Sequence, residues 1–542
     1  MDHLLQRVER LNQIGIALSA ERDTARLLEM ILHGAKELTS ADGGTLYTVT
    51  PDQELQFDII ATDSLKIKLG GTTQQAINFK PIPLFDEARQ PITDMVVTSA
   101  VHQRRVINIE DAYDAEGYDF SGTRKFDRQT GYRTRSLLTI PMNNHENEII
   151  GVLQLINAQD SSTGSVTPFS DTDQQLAESL ASQAAVALTN QRLIKDLENL
   201  FKSFIQLIAS AIDEKSPYTG SHCRRIPVLT MMLAEAVSSE QEGPFADFKL
   251  SDADRHELET AAWLHDCGKI TSPEYVIDKS TKLETIFDRI ELIDTRFEVL
   301  KRDAEIDYLH AIADATNERQ RQKLKQAFER KLAELNSDRD FLRKTNIGGE
   351  FMSNASLKRV QTIASQQWRD PDNQNVPFLS PEEIYNLCIR KGTLTPEERT
   401  IINNHMVATI QMLESLPFPK HLARVPEYAG GHHERMDGTG YPKGLRRDEM
   451  SVPARIMAIA DVFEALSARD RPYKKGKTLT QCLKIMSDMT LDQHLDPDLF
   501  DVFVKDGVYL KFAEEYLHPD QIDAVDISQL SFYTKRAEKG AV

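Results

Sequence analysis

His265-Asp266-Cys267-Gly268-Lys269 closes a stretch, Asp254 to His265, that reads as a helix with Leu258, Ala261, Ala262 and Leu264 apolar. Gly268 is suited to end that helix. A His-Asp pair at the end of a buried helix offers an imidazole and a carboxylate in adjoining directions. Because a carboxylate has two oxygens, Asp266 can bridge two metals while His265 binds one. Taken alone the dipeptide is a weak signal. It gains weight from a second stretch, His432-His433-Glu434-Arg435-Met436-Asp437-Gly438-Thr439-Gly440-Tyr441-Pro442. Together the two supply N/O ligands, a cation (Lys269) and a shaped loop, the parts of a metal-dependent phosphate-ester hydrolase.

Two further residues fit the same chemistry. Thr395-Pro396-Glu397-Glu398 is a capping box with Pro in the first turn, and it starts a helix that carries His405 on its inward face. A lone histidine there is more often a core residue than a ligand. Asp461 is the only charge between Arg455 and Glu464, inside Ile456-Met457-Ala458-Ile459-Ala460-Asp461-Val462-Phe463. A carboxylate buried in such a run costs several kcal/mol unless a cation stands beside it.

The chain has 542 residues, too many for one core, so about three folded units are expected. A net charge of -19 disfavours broad binding to nucleic acid polymers or to an anionic membrane, though not a small anion held by metals. Four cysteines without CxxC spacing (Cys223, Cys267, Cys388, Cys482) fit reduced thiols. No signal-peptide core opens the sequence, and no apolar run reaches the ~20 residues of a membrane span. The expectation is a cytoplasmic protein.

Residues 1–172 read as α+β. Helical spacing (Leu11, Ile14, Leu18; Leu27, Leu28, Ile31, Ala35) precedes turn chemistry at Ala41–Gly44. Strand-like runs follow at Thr45–Thr50, Leu55–Ala61, Ser136–Met142 and Ile149–Ile156. This layout resembles a GAF domain, most clearly in Asn108–Tyr113 and Thr130–Arg135. The resemblance implies a sensor module with a small-molecule ligand, or one used for dimerisation only. Cyclic-nucleotide-binding members carry Asn-Lys…Phe-x-x-x-Asp-Glu, whereas this chain has Asn157-Ala158…Phe169-Ser170-Asp171-Thr172-Asp173-Gln174 and differs at two of those positions.

Over 173–212, Leu193, Leu197, Leu200, Phe204, Leu207 and Ala211 alternate spacings of four and three, the seam of a parallel coiled coil and hence of a homodimer. A single amphipathic helix packed on its own chain has the same pattern. Between about 284 and 392 lies a polar helical insertion. Ile286, Ile290, Ile293, Phe297 and Leu300 mark one helix, Leu324, Phe328, Leu332, Leu335 and Leu342 another, with a turn near Asp314–Asn317. Gly348–Phe378 reads as loop, and 518–542 as a C-terminal tail.

The chemical residues, taken together, resemble the HD-GYP subgroup of metal-dependent phosphohydrolases. The matching pieces are Thr219-Gly220-Ser221-His222, His265–Ile270, His405, His432–Pro442, Ala460-Asp461 and Arg471-Pro472-Tyr473-Lys474, within residues 213–517. The fold expected is therefore multidomain: an α+β GAF domain, a long coiled-coil linker helix and an all-α HD-GYP domain with a helical insertion. The resemblance implies a cyclic di-GMP phosphodiesterase that releases pGpG and, in some members, GMP. The alternatives are a hydrolase of a mixed GMP–AMP cyclic dinucleotide and a catalytically silent adaptor.

By position in the motifs, His222, His265, Asp266 and Asp461 would hold one divalent ion. Asp266, His405, His432 and His433 would hold the other, with iron or manganese favoured. Asp266 and Lys269 carry the catalytic roles, while Lys269, Tyr441, Arg471 and Lys474 are the expected substrate contacts. Some members bind a third metal through a Glu four residues before the first histidine; Tyr218 stands there, so two metals are expected. Ser216, Glu464 and the spacing of Arg471 also depart from the usual pattern.

Overall fold

The computed structural model describes residues 2–540 except 74, 161, 216–221, 350, 371, 373 and 470–475. It divides into two compact units, Met1–Phe201 and Lys202–Val542.

In the first unit, helices α1 (Asp2–Ala20) and α2 (Thr24–Thr39) lead into strands β1 (Ala41–Val49), β2 (Glu54–Thr62), β3 (Ile67–Gly70) and β4 (Ile82–Pro83). Helix α3 (Val96–Gln103), β5 (Ile107–Ile109), α4 (Ser121–Thr130), β6 (Leu137–Asn143), β7 (Ile149–Gln159) and β8 (Val166–Thr167) follow. The strands form one antiparallel sheet with the path β3-β2-β1-β7-β6-β5. The apolar stripes read from the sequence become a core: Leu11, Ile14, Leu18, Leu27 and Ile31 of α1 and α2 pack with Leu46, Leu138, Leu153 and Leu155 of the sheet. A second cluster joins Val97 and Val101 of α3 to Tyr47, Leu55 and Val152.

The expected turn at Ala41–Gly44 is instead the start of β1. Gly44 is needed there for close approach: a Cβ would lie 2.8 Å from the Gln154 carbonyl oxygen and from Leu32 Cδ1. The signature residue Asn157 is occupied within the fold, its Oδ1 accepting from Arg135 N at 2.7 Å and its Nδ2 donating to the Arg133 carbonyl at 2.9 Å.

Helix α5 (Asp171–Lys215) is one continuous helix of 45 residues. Leu193, Leu197, Leu200, Phe204 and Leu207, the expected seam, are each more than half exposed.

The second unit is mainly helical. Helices α6 (His222–Ser239), α7 (Asp252–Leu264) and α8 (Glu274–Ile277) precede the insertion, which begins with α9 (Ile290–Ala313) and α10 (Glu318–Ile347). These two form the expected hairpin, with Ile293 and Phe297 buried against Leu335 and Leu342. Ile286, placed on the first stripe, lies ahead of α9 and is exposed. The segment expected as loop holds α11 (Asn354–Ala364), capped by Ser353, and a hairpin of β9 (Gln367–Arg369) with β10 (Asn375–Pro377). An 11-residue helix with three buried residues leaves too short a period to stand out in sequence. Helix α12 (Pro381–Leu387) completes the insertion.

Beyond it come α13 (Pro396–Glu414), α14 (Val425–Gly430), α15 (Val452–Ser467), α16 (Leu479–Leu491), α17 (Pro497–Lys505) and α18 (Val508–Tyr516). The C-terminal segment docks rather than trails. Helix α19 (Ser531–Gly540) places Phe532 against Phe500, and the Phe532 N–H donates to Ser487 Oγ at 2.8 Å. No helix among the described residues is long and apolar enough to cross a membrane.

Candidate metal centre

Five elements deliver the predicted residues to one place. Helix α7 starts at a Ser251–Asp254 capping box and carries His265 at its C-terminal cap, with Asp266 next. Helix α13, with the predicted Thr395–Glu398 box, turns His405, Met406, Thr409 and Ile410 inward. Helix α14 is clamped to α7, because buried Glu257 accepts from the Arg424 backbone N–H at 2.6 Å and from its Nε at 2.9 Å; His432 and His433 follow directly. His222 opens α6 and Asp461 lies on α15.

Asp266 is at the middle. Its Oδ2 is 3.2 Å from His265 Nε2 and 3.4 Å from His222 Nε2, and its Oδ1 is 3.2 Å from His405 Nε2. Asp461 Oδ1 lies 3.4 Å from His222 Nε2. One ligand atom from each of Asp266, His405, His432 and His433 lies within 4.8 Å of every other, and the same holds for His222, His265 and Asp266. The two groups share Asp266, one carboxylate oxygen facing each.

The rings are aimed from behind. His265 Nδ1 is 2.7 Å from the Ala262 carbonyl and His432 Nδ1 is 2.7 Å from the Ala429 carbonyl, while His405 Nδ1 contacts the Ile402 carbonyl. In each case the acceptor lies three residues earlier, so helical geometry supplies the partner that fixes the tautomer and points Nε2 outward. His222 has a carboxylate instead: its Nδ1 contacts Glu464 Oε2, and Glu464 Oε1 accepts from Arg225 Nε at 2.6 Å. Burial opposes charge on both members of this pair. The Glu464 carboxylate, with Asp266, lifts His222 to about 10, and His222 with Arg225 holds Glu464 at about 2.

On the other side, burial, reinforced by the charge of His265, takes His432 down to about 4. Burial and then His432 hold His433 well below the usual imidazole range. Burial works against the charge of Asp266, but Lys269 and His265 keep it well below the ordinary carboxylate range. Neutral His432 and His433 beside an ionised Asp266 are in the protonation states that metal ligation requires, whereas His222 must give up its proton to bind an ion.

His405 Nε2, His432 Nε2 and Asp266 Oδ1 are buried and have no hydrogen-bond partner among the described residues. Lone pairs gathered in a dry place repel one another and have forfeited water, so a cation is the partner that satisfies them. The residues therefore fit a dinuclear N/O site. His222, His265, Asp461 and Asp266 Oδ2 could hold one ion, and His405, His432, His433 and Asp266 Oδ1 the other.

Lys269 Nζ contacts Asp266 Oδ2. Burial would lower its pKa, yet the Asp266 and Asp461 carboxylates hold it above the ordinary lysine value. Tyr441 stacks on His433 with ring centroids 4.9 Å apart and an interplanar angle of 27°. Its loop is shaped by buried Glu434, which accepts from Lys443 N at 2.7 Å and Leu445 N at 2.9 Å, and Tyr441-Pro442 is cis. Arg471 and Lys474, the other expected substrate contacts, lie outside the described residues, as do Ser216 and Tyr218.

Gly268 has a role other than the helix ending expected from its type. The C-cap of α7 is His265, and a Cβ on Gly268 would stand 2.0 Å from the His405 carbonyl oxygen and 2.5 Å from Thr409 N. The Gly268 N–H donates to Thr409 Oγ1 at 2.9 Å. Glycine lets the Asp266 turn touch α13, which brings Asp266 to His405. Gly268→Ala should cost about 3 kcal/mol or more, because backbone on backbone cannot yield cheaply. Thermal unfolding checks this, and an unchanged Tm would refute the close approach.

Residues 23–188 match the family model of the GAF domain, and residues 378–499 match that of the HD domain. The chain carries a GAF domain followed by an HD domain. His405, His432, His433 and Asp461 fall within the HD match; His222, His265 and Asp266 precede it, on the far side of the insertion. Among curated proteins, 3'3'-cGAMP-specific phosphodiesterase 1 of Vibrio cholerae is 39% identical over 128 residues, 24% of this chain and 28% of that relative. The phosphodiesterase 3 of the same name and organism is 41% identical over 111 residues, 20% and 23% of the respective chains. A cyclic di-GMP phosphodiesterase of Pseudomonas aeruginosa is 38% identical over 130 residues, 24% and 30%. The chain spans less than a third of the length of these relatives.

Glu464, Arg225 and Glu257 act on the centre without having been singled out as contributors by their sequence context. In the sequence Glu464 stands out only as a departure from the family pattern. A glutamate in a hydrophobic helix one turn after Asp461 was the available signal.

Proposed function

We propose that this protein is a cyclic dinucleotide phosphodiesterase, with cyclic di-GMP as substrate and pGpG as the first product, operating in the cytoplasm under control of its GAF domain. The observation that carries the reading is the pair of His/Asp groups sharing Asp266, with buried lone pairs that no group among the described residues satisfies. Support comes from the HD match and from relatives named for hydrolysis of cyclic di-GMP or 3'3'-cGAMP.

Two divalent ions, iron or manganese, would supply Lewis acidity toward the phosphodiester. The chain's own part is positional and electrostatic. Three helix-carbonyl contacts and Glu464 orient the imidazoles, and Asp266 ties the two groups together. Lys269 offers a fixed ammonium beside Asp266 for a phosphate oxygen. The Tyr441 ring, held flat on His433, forms a wall against which a ribose or base can rest. Arg471 and Lys474 are assigned to the second phosphate by their motif.

The decisive experiment loads purified protein with iron or manganese under anaerobic, reducing conditions and follows hydrolysis of cyclic di-GMP and 3'3'-cGAMP by product chromatography. Turnover of cyclic di-GMP at the higher kcat/KM is expected. Higher turnover of 3'3'-cGAMP would reassign the substrate, and bound metal without any hydrolysis would make the protein an adaptor.

The exposed leucine seam of α5 is read as a parallel homodimer contact. Leu200→Glu with Leu207→Glu should convert a dimer to a monomer in sedimentation velocity, and a monomeric wild type would refute the seam. The GAF domain is read as the site of a small-molecule ligand.

A further inference from the structure

The centre has a neighbour that its chemistry does not use, the end of α5. In the part of α5 that belongs to the second unit, Ile205, Ala209 and Ile212 are buried and spaced as one helical stripe. Lys202 Nζ lies 3.0 Å from Glu259 Oε1 on α7, the helix that leads into His265 and Asp266. The exposed leucines of the seam lie on another face of the same helix.

At the last residue the connection becomes direct. Lys215 Nζ donates to the carbonyl oxygens of Lys269 at 3.3 Å and Ser272 at 2.7 Å, and to that of Ile270. A lysine ammonium has three donors, and all three are spent on this one turn. The turn, Cys267–Thr271, is a five-residue 3-10 segment capped by Ser272; the Lys269 carbonyl also accepts from the Ser272 N–H at 3.1 Å, and Lys215 supplies donors to the carbonyls at the segment's end. A cavity of about 10 Å³, room for one water molecule, lies between Ile212, Asp213 and Lys215 of α5 and His222, Asp266 and Lys269 of the centre. The helix end is therefore a wall of the centre itself.

We propose that Lys215 is a positioning residue that holds the Lys269 turn and so transmits the position of α5 to the ammonium of Lys269. The inference rests on the phosphodiesterase reading for what Lys269 does. Its mechanical content is simple. A helix advances 1.5 Å per residue, so a shift of α5 by one residue's rise, where it runs along the 2.7 Å bond to Ser272, takes that bond beyond hydrogen-bonding range. Released from its clasp, the turn no longer fixes Lys269. Within the second unit, this bond stands at the end of residues 202–215 of α5, so their placement sets it.

The test uses the full-length, metal-loaded protein. Lys215→Met keeps the aliphatic stem and removes the donors, whereas Lys215→Arg keeps donors. Lys215→Met should retain wild-type metal content and lose about 10- to 100-fold in kcat/KM, the scale of a small misplacement of a catalytic group. Lys215→Arg should recover most of that loss. The double variant Lys215→Met/Lys269→Ala should lose no more than Lys269→Ala alone, since the two act as one device. Multiplying losses would overturn the proposal, because a general loss of fold quality gives that result. Wild-type kcat/KM in both Lys215→Met and Lys215→Gln would overturn it as well.

Amide hydrogen exchange over Gly268–Ser272 reads the clasp without any catalysis. Faster exchange in Lys215→Met is expected, and unchanged protection would refute the clasp. If the wild-type protein hydrolyses no cyclic dinucleotide, the phosphodiesterase reading falls, and the exchange result alone decides on Lys215.

Discussion

Asp266→Asn is expected to abolish metal loading and hydrolysis together. The substitution keeps the shape of the side chain and removes its charge. In the wild-type protein the two oxygens face different ligand groups, Oδ1 toward His405 and Oδ2 toward His222 and His265. Five histidines without that carboxylate leave each ion with neutral donors only, apart from Asp461, and with no shared ligand to keep the pair together. Metal analysis should show loss of both ions, and kcat should fall by at least about 10³-fold, the loss of the charge stabilisation that the ions supply. His265→Ala should follow the same course. Wild-type turnover by Asp266→Asn, or two ions retained, would show that the centre has been misplaced.

Glu464→Gln should have the next largest effect, although Glu464 touches no candidate ion. Its carboxylate holds His222 through Nδ1 and pairs with Arg225; His222 and Glu464 are buried and Arg225 is partly so. A neutral amide can still accept from His222, but it no longer balances the charge of Arg225. Orienting partners of this type are worth about 10- to 100-fold in metal affinity. That drop is expected for the ion at His222, His265 and Asp461, with the second ion less affected. Removing the buried carboxylate from its pair with Arg225 and His222 should also lower stability. Glu464→Asp should retain more affinity than Glu464→Gln, because charge is kept and only reach is lost. Metal titration followed by thermal unfolding of the metal-free protein separates the two effects. Equal affinity in Glu464→Gln and wild type would refute the orienting role.

Glu464 also shows where reading the sequence stops short. It stands 242 positions from His222, and no local pattern links the two. The ligand residues themselves were legible because each sits in a distinctive setting: a His-Asp pair closing an apolar helix, two histidines ahead of a glycine-rich loop, one charge in an apolar run. The capping box at Thr395–Glu398 fixed the phase of α13 and so the inward direction of His405. Gly268 was legible as a glycine but not for its reason, since its close contact is with a carbonyl on a helix more than 130 residues later. In the first unit, Gly43 and Gly44 suggested a turn by composition, whereas the neighbouring strand decided that they lie within β1.

The sequence by itself determined the helical stripes, the caps, the hairpin of α9 and α10 and the kinds of ligand atom present, because these follow from contacts within a few residues. Only the tertiary structure decided which lone pairs face one another, that Asp266 divides its oxygens between two histidine groups, and that Lys215 closes on the turn behind them. Those outcomes depend on helices far apart in the chain packing at particular distances, and the interaction of a carboxylate, an imidazole or an ammonium changes steeply over an ångström in a dry interior. Local periodicity carries no information at that resolution.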